Sequence, residues 1–175
     1  SSSSTSTFLK GKRILELGAG LGLCGLLAHH LAGPDSEVCI TDGDIDAMAL
    51  IRENIDRNKS KQSSSSGQVV ARQLIWGQDF TETFMKKYYV SEVEVGEEGE
   101  REPFDILIAS DIVYALVIVE PLWETIRLLL RRRRRRRRKG AVGDGDRCSN
   151  GKNDNDDTDN NNRPCFLMAY AKRDV

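Results

Sequence analysis

Ile14-Leu15-Glu16-Leu17-Gly18-Ala19-Gly20-Leu21-Gly22 decides the fold of this chain. A mostly apolar strand runs into a turn with glycines at 18, 20 and 22, and an apolar helix follows at once. The order predicts a β-strand, a glycine-rich loop and an α-helix. Glycine reaches positive φ and lacks the Cβ that would hold a ligand off the backbone. The first N–H groups of the helix have no partner inside it and are open to a ligand. The unit therefore points to a nucleotide-like ligand. A dinucleotide fingerprint, G-x-G-x-x-G, needs its third glycine at position 23. Leu23 stands there and Gly22 comes one place early, which argues against NAD or FAD. No G-K-[ST] follows, so the loop is not a P-loop. A tight strand-to-helix turn with no ligand is the plainer alternative.

Working outward, residues 21–31 are apolar on nearly all sides, as expected of a helix packed on a sheet. Gly33-Pro34-Asp35 ends that helix. Residues 38–41 read as a second strand that closes at Asp42, 22 residues after Gly20. An acidic residue at this place and spacing commonly accepts hydrogen bonds from ribose hydroxyls. Asp42 also fits a helix cap or an Asx turn before the helix at 44–58. Residues 69–76 contain a third strand, 81–89 a short helix, 104–109 a buried fourth strand, 120–130 a helix with Pro121 in its first turn, and 166–170 a fifth strand. Strands alternating with helices give an α/β fold, a doubly wound, Rossmann-like, mostly parallel sheet covered on both faces. In such sheets the ligand lies beyond the C-terminal strand ends where strand order reverses. The positions to inspect are thus 18–22, Asp42, 76–79, 110–114 and 171–173.

The 175 residues allow one domain, expected over 8–175 after a disordered tail at 1–7. Low-complexity insertions are expected at 59–67, 91–102 and 131–162, since these polar stretches cannot offset their ordering entropy by burial. The net charge of −1 hides a run of nine cations, Arg131 to Arg138 and Lys139, followed by a series of aspartates. Nucleic-acid binding or nuclear import through Arg131–Lys139 is the sharper reading. A low-complexity expansion at a helix end is favoured, because no aromatic or polar readers are interleaved. Cys24, Cys39, Cys148 and Cys165 lack zinc spacing, and the first, second and fourth read as small buried hydrophobes. His29 and His30 are expected at the exposed end of their helix, and no metal site is expected. There is no signal peptide and no apolar run of membrane length, so no membrane partner is expected. A reducing compartment, cytoplasm or nucleus, fits the cysteine usage.

Four stretches carry a family resemblance: I-L-E-L-G-A-G-L-G, then T-D-G-D after strand two, L-I-W-G-Q-D after strand three and A-S-D-I-V-Y after strand four. The chain resembles the seven-β-strand methyltransferases that use S-adenosyl-L-methionine. More narrowly it resembles their small protein-lysine methyltransferases, over roughly residues 8–130 and 165–174. The resemblance implies methyl transfer to a lysine side chain of a protein. It places Gly18, Ala19 and Gly20 beside the methionine portion of the cofactor and Glu16 near its ammonium end. Asp42 would hold the ribose diol, Trp76 would flank the adenine, and Ser110 would line the cofactor pocket. Asp111 and Tyr114 match the D-x-x-Y motif bordering the lysine channel. Asp111 would orient the incoming ammonium and Tyr114 would form an aromatic wall, where a cation gains roughly 0.5–2 kcal/mol.

Each of these has a plainer counterpart: Trp76 as a core aromatic, Asp111 as a helix cap, Tyr114 as a packed aromatic with a satisfied hydroxyl. The family pattern includes a segment before the first strand, and a helix and antiparallel strand pair after the fifth. Only residues 1–10 precede strand one here and the sequence stops at Val175, so the expectation is a fold truncated after the fifth strand. Two other functions stay open. One is a methyltransferase-fold interaction module, or truncated copy, without catalysis. The other is a methyltransferase with a non-protein acceptor, against which the lack of an N-P-P-[YF]-like motif after strand four weighs.

Overall fold

β1 (Arg13–Leu17) is the central strand of a five-stranded sheet in the computed structural model, which describes residues 8–59, 67–89, 104–130 and 164–169. In chain order the other elements are α1 (Leu23–Ala32), β2 (Glu37–Asp42), α2 (Ile45–Lys59), β3 (Gln68–Gln73), α3 (Gln78–Tyr88), β4 (Ile106–Ser110), a 3-10 turn (Leu116–Ile118), α4 (Val119–Leu129) and β5 (Cys165–Ala169). The strands lie in the order β3-β2-β1-β4-β5, and all four pairings are parallel. Strand order therefore reverses beside β1. The Rossmann-like sheet expected from the sequence is present, and it is wholly parallel among the described residues.

β1 is apolar at almost every position because both of its faces are covered. Leu15 and Leu17 join Phe84, Phe104, Leu122 and Ile126 in a core beneath α3 and α4. Ile14 joins Ala28, Met48 and Ile51 in a second core beneath α1 and α2. Helix α1 approaches the sheet through Gly25. A Cβ placed there would stand 2.5 Å from Glu16 Oε2 and 2.6 Å from Ile40 Cγ1. Gly25→Ala should therefore overpack this contact and lower stability by roughly 1–3 kcal/mol. Urea unfolding is the check, with an unchanged midpoint as the contrary result.

Local signals fix the helix ends. Asp44 Oδ1 accepts the N–H groups of Asp46 (2.7 Å) and Ala47 (3.1 Å), so Asp44 caps α2. At the other end of α1, Ser36 Oγ donates to the Ala32 carbonyl at 2.8 Å and accepts the Gly11 N–H at 3.0 Å. Two expectations need correction. His29 is not at an exposed end: it is 2 % exposed, four residues after Gly25 on the inward face of α1, and only His30 faces outward. Cys24 is exposed rather than buried, Cys165 is half-buried, and only Cys39 is core. The third strand, Gln68–Gln73, falls almost wholly inside the expected 69–76 stretch, and Trp76 follows it as expected. The tail at 1–7, the insertion at 91–102, the run Arg131–Lys139, Cys148 and residues 171–173 lie outside the described residues, as does most of 59–67 and all of 131–162.

Segments 60–66, 90–103 and 131–163 share one topological property: each joins the end of a helix to the start of a strand. The strand-to-helix connections, by contrast, are all short and described. No described helix is long and apolar enough to cross a membrane. Among the described residues no group of three His, Cys, Asp or Glu side chains is placed to hold a metal ion.

Candidate functional site

The loop after β1 opens at the reversal of strand order, and backbone bonds tie it to β2. The Ala19 N–H donates to the Thr41 carbonyl at 3.0 Å, and the Gly22 N–H closes a turn on the Ala19 carbonyl at 2.8 Å. The Gly20 N–H donates to Asp42 Oδ2 at 2.8 Å. Asn54 of α2 adds a bond from Nδ2 to the Leu21 carbonyl at 3.0 Å. The other oxygen of Asp42, Oδ1, accepts the Asp44 N–H at 2.9 Å. Asp42 thus makes the Asx turn and also meets the glycine loop. A carboxylate offers about four lone-pair sites. Two are taken by these N–H groups, one on each oxygen, so one acceptor site per oxygen remains for a ligand.

Gly18 forms the floor of the site. Its φ of 58° lies in the left-handed region. A Cβ there would meet Ile112 Cγ2 at 2.8 Å and Trp76 Cζ2 at 3.1 Å. The backbone of β1's loop, the Trp76 ring after β3 and Ile112 after β4 are therefore in mutual contact range. Trp76 is half-buried, with its inner part against the core shared by α3 and α4. It is neither a fully buried core aromatic nor a free ring. The turn that carries it is fastened from below. The Gly77 N–H donates to Thr125 Oγ1 of α4 at 2.9 Å, and Thr81 Oγ1 donates to the Gly77 carbonyl at 2.7 Å. Thr81 and Thr125 are both fully buried and their hydroxyls lie 3.0 Å apart.

Glu16 sits under the loop rather than in it. It is 2 % exposed, and its Oε2 accepts the Gly25 N–H at 2.8 Å. The structure therefore joins Glu16 to the first turns of α1, while Gly20 meets Asp42 and Gly18 meets Trp76.

Ser110 ends β4 and is exposed. Asp111 follows with a φ of 54°, the one non-glycine positive φ among the described residues. Its N–H donates to the Ala169 carbonyl of β5 at 3.0 Å, which anchors this turn to the neighbouring strand. The N-cap positions of the next two helical elements are Ala115 and Ile118, not Asp111. Tyr114 is 78 % exposed, so it is not a packed aromatic; Leu116 and Val117 beyond it are also exposed. Three site residues escaped the sequence reading: Ile112, Thr41 and Thr125. Ile112 carried no signal of its own, because Val113 beside it is equally apolar.

A parallel, doubly wound sheet with a glycine-rich loop at its switch point, a carboxylate at the end of β2 and a half-buried tryptophan after β3 has the layout of folds that take nucleotide-type ligands at the C-terminal strand ends. The family profile described as lysine methyltransferase matches residues 1–135. The chain belongs to that family. It is 34% identical over 122 residues to calmodulin-lysine N-methyltransferase of Arabidopsis thaliana, covering 70% of this chain and 34% of that protein. It is 30% identical over 121 residues to protein N-lysine methyltransferase METTL21A of Danio rerio, covering 69% of this chain and 45% of that protein. The chain thus spans less than half the length of these relatives. Among solved structures, a SAM-dependent methyltransferase from Aquifex aeolicus aligns with a TM-score of 0.47 at 14% identity, covering 70% of this chain and 53% of the other.

Proposed function

We propose that this chain binds S-adenosyl-L-methionine over the 18–22 loop and serves its transfer of a methyl group to a lysine side chain of a protein. The observation that carries the reading is the state of Asp42. One acceptor site is left on each carboxylate oxygen after the Gly20 and Asp44 N–H groups are bound, which suits the two donors of a ribose diol. A second support is that Gly18 leaves no room for a Cβ against Trp76 and Ile112, so the turns after β1, β3 and β4 pack directly on one another at the end of the sheet where the cofactor would lie. Gly18, Ala19, Gly20, Asp42, Trp76 and Ser110 would hold the cofactor, with Glu16 acting from beneath. When bound, the cofactor supplies an electrophilic methyl group on a sulfonium.

The chain's own residues have the remaining tasks. The loop and Asp42 fix position, and alignment alone can remove several kcal/mol from the barrier of a group transfer. An acceptor lysine has an unperturbed pKa near 10.4 and arrives as an ammonium. Asp111 attracts and orients that ammonium, and Tyr114 offers an aromatic face beside it. An adjacent carboxylate favours the charged amine, so Asp111 serves capture and the proton leaves to solvent. Membership of the lysine methyltransferase family and the names of the relatives support a protein acceptor. The free thiols Cys24, Cys39 and Cys165 support a reducing setting, the cytoplasm or nucleus.

Calorimetric titration with S-adenosyl-L-methionine, followed by incubation with methyl-labelled cofactor and cell proteins, is the test. Binding plus label recovered as methyllysine is expected; no binding overturns the reading. Asp42→Asn should weaken binding about tenfold, since bonds to a charged acceptor contribute roughly 1.5–3 kcal/mol. The amide has one acceptor oxygen for two N–H groups and the ligand together. Equal affinity of wild type and Asp42→Asn in the same titration would contradict the ribose role.

A further inference from the structure

Among the described residues Glu16 is the one buried acidic side chain, and its surroundings are unusual for a carboxylate. In register it lies between Ile40 of β2 and Ile108 of β4. From α1 it receives the Gly25 N–H and interacts with the Cys24 thiol. From the end of β2, Asp42 acts on it as a repelling charge. His29 shares the inward face of α1 one turn beyond Gly25. Burial dominates this balance and, with Asp42, outweighs the bonds from Gly25 and Cys24, pushing the Glu16 carboxyl from 4.5 up to about 7.

We propose that Glu16 is a proton-linked positioning residue, which holds the Gly25 N–H as a neutral acid in the free protein and gives its proton to solvent when a ligand bearing a positive charge seats on the 18–22 loop. The carbonyl oxygen of a neutral carboxyl can still accept the Gly25 N–H, so the α1 contact survives in both states. A cation above the loop stabilises the carboxylate and shifts the equilibrium; the O–H bond of Glu16 breaks and the proton passes to the buffer. Affinity for a cationic ligand therefore rises with pH through the titration of the free protein. The inference rests on the cofactor reading above and adds to it a proton count and a pH dependence.

Two consequences separate it from a purely structural role for Glu16. In the free protein, a carboxyl raised from 4.5 to about 7 holds a proton that the unfolded chain has lost. Stability from this group is complete below the unfolded value and falls as pH rises through the folded one. The Tm of the free chain should drop between pH 5 and pH 8, and that part of the drop should vanish in Glu16→Gln, which keeps an acceptor for Gly25.

In the bound state, wild-type affinity for S-adenosylhomocysteine, which carries an ammonium, should be roughly eightfold tighter at pH 7.5 than at pH 6. Affinity for 5′-methylthioadenosine, which lacks the amino-acid end, should show no such rise. Calorimetry of the wild type at pH 6 in two buffers of different ionisation enthalpy should show close to one proton released with the first ligand and none with the second. Glu16→Gln should flatten the pH dependence for the first ligand. If both ligands bind and neither shows pH dependence or proton release, the proposal is overturned while the cofactor reading stands. If neither ligand binds at any pH, both fall together.

Discussion

Gly18→Ala is expected to weaken S-adenosyl-L-methionine binding by about 10- to 100-fold, the equivalent of roughly 1–3 kcal/mol of overpacking. Two costs fall on this position, the first on stability and the second on the shape of the site. The backbone holds φ at 58°, a region where a residue with a Cβ is disfavoured by roughly 1–2 kcal/mol. The new methyl would also stand 2.8 Å from Ile112 Cγ2 and 3.1 Å from Trp76 Cζ2. Ile112 or Trp76 must give way, and on the proposed function both lie next to the cofactor. Gly11→Ala separates the two costs, since Gly11 has a φ of 67° and nothing within 4 Å of the Cβ position. It should lose about 1 kcal/mol of stability by the same backbone argument and leave binding unchanged. Urea unfolding and calorimetric titration of both variants provide the comparison. If Gly18→Ala binds as tightly as Gly11→Ala, the assignment of Gly18 to the cofactor site fails.

Asp111→Asn should lower methyl transfer by about 10- to 100-fold while leaving cofactor affinity within about twofold. The size follows from the roughly 1.5–3 kcal/mol carried by a hydrogen bond to a charged group. Asparagine is the better probe than alanine here. Asp111 adopts a φ of 54°, and asparagine tolerates that conformation, so the turn and its bond to the Ala169 carbonyl are kept while the charge is removed. Because Asp111 is exposed, the difference between wild type and variant should shrink as salt is raised from 50 mM toward about 500 mM, where the Debye length falls well below 10 Å. Labelled methyl transfer at subsaturating acceptor, read at both salt concentrations, measures this. Unchanged transfer in the variant would remove Asp111 from the acceptor side of the reaction.

The sheet and its ligand end were legible because their signals are local. An apolar run before Gly18, an acidic residue closing β2 and the L-I-W-G turn after β3 are short patterns that backbone geometry demands. Side-chain direction on α1 was not legible. The helix is apolar on almost every side, so its sequence does not mark which face meets the sheet. Only the close approach of Gly25 to Ile40 does, and it turns His29 inward and Cys24 outward. The threonine pair beneath Trp76 was hidden for a different reason. Thr81 and Thr125 are 44 residues apart, and each alone reads as an ordinary helix residue. Asp111 was named from its motif, but its positive φ and its bond to β5, a strand that starts more than 50 residues later, are not local features. Tyr114 had two sequence readings, and only its exposure separates them.

The placement of the three long connections bears on how this chain tolerates change. Segments 60–66, 90–103 and 131–163 enter the sheet at strand starts, whereas the turns that shape the site leave from strand ends. Lengthening a connection costs only about 0.6 kcal/mol for each doubling. Extra length at one rim of the sheet therefore costs little, while at the opposite rim the short turns that shape the site leave little room for it. A reporter, tag or new module fused at the first rim should leave the second in working order.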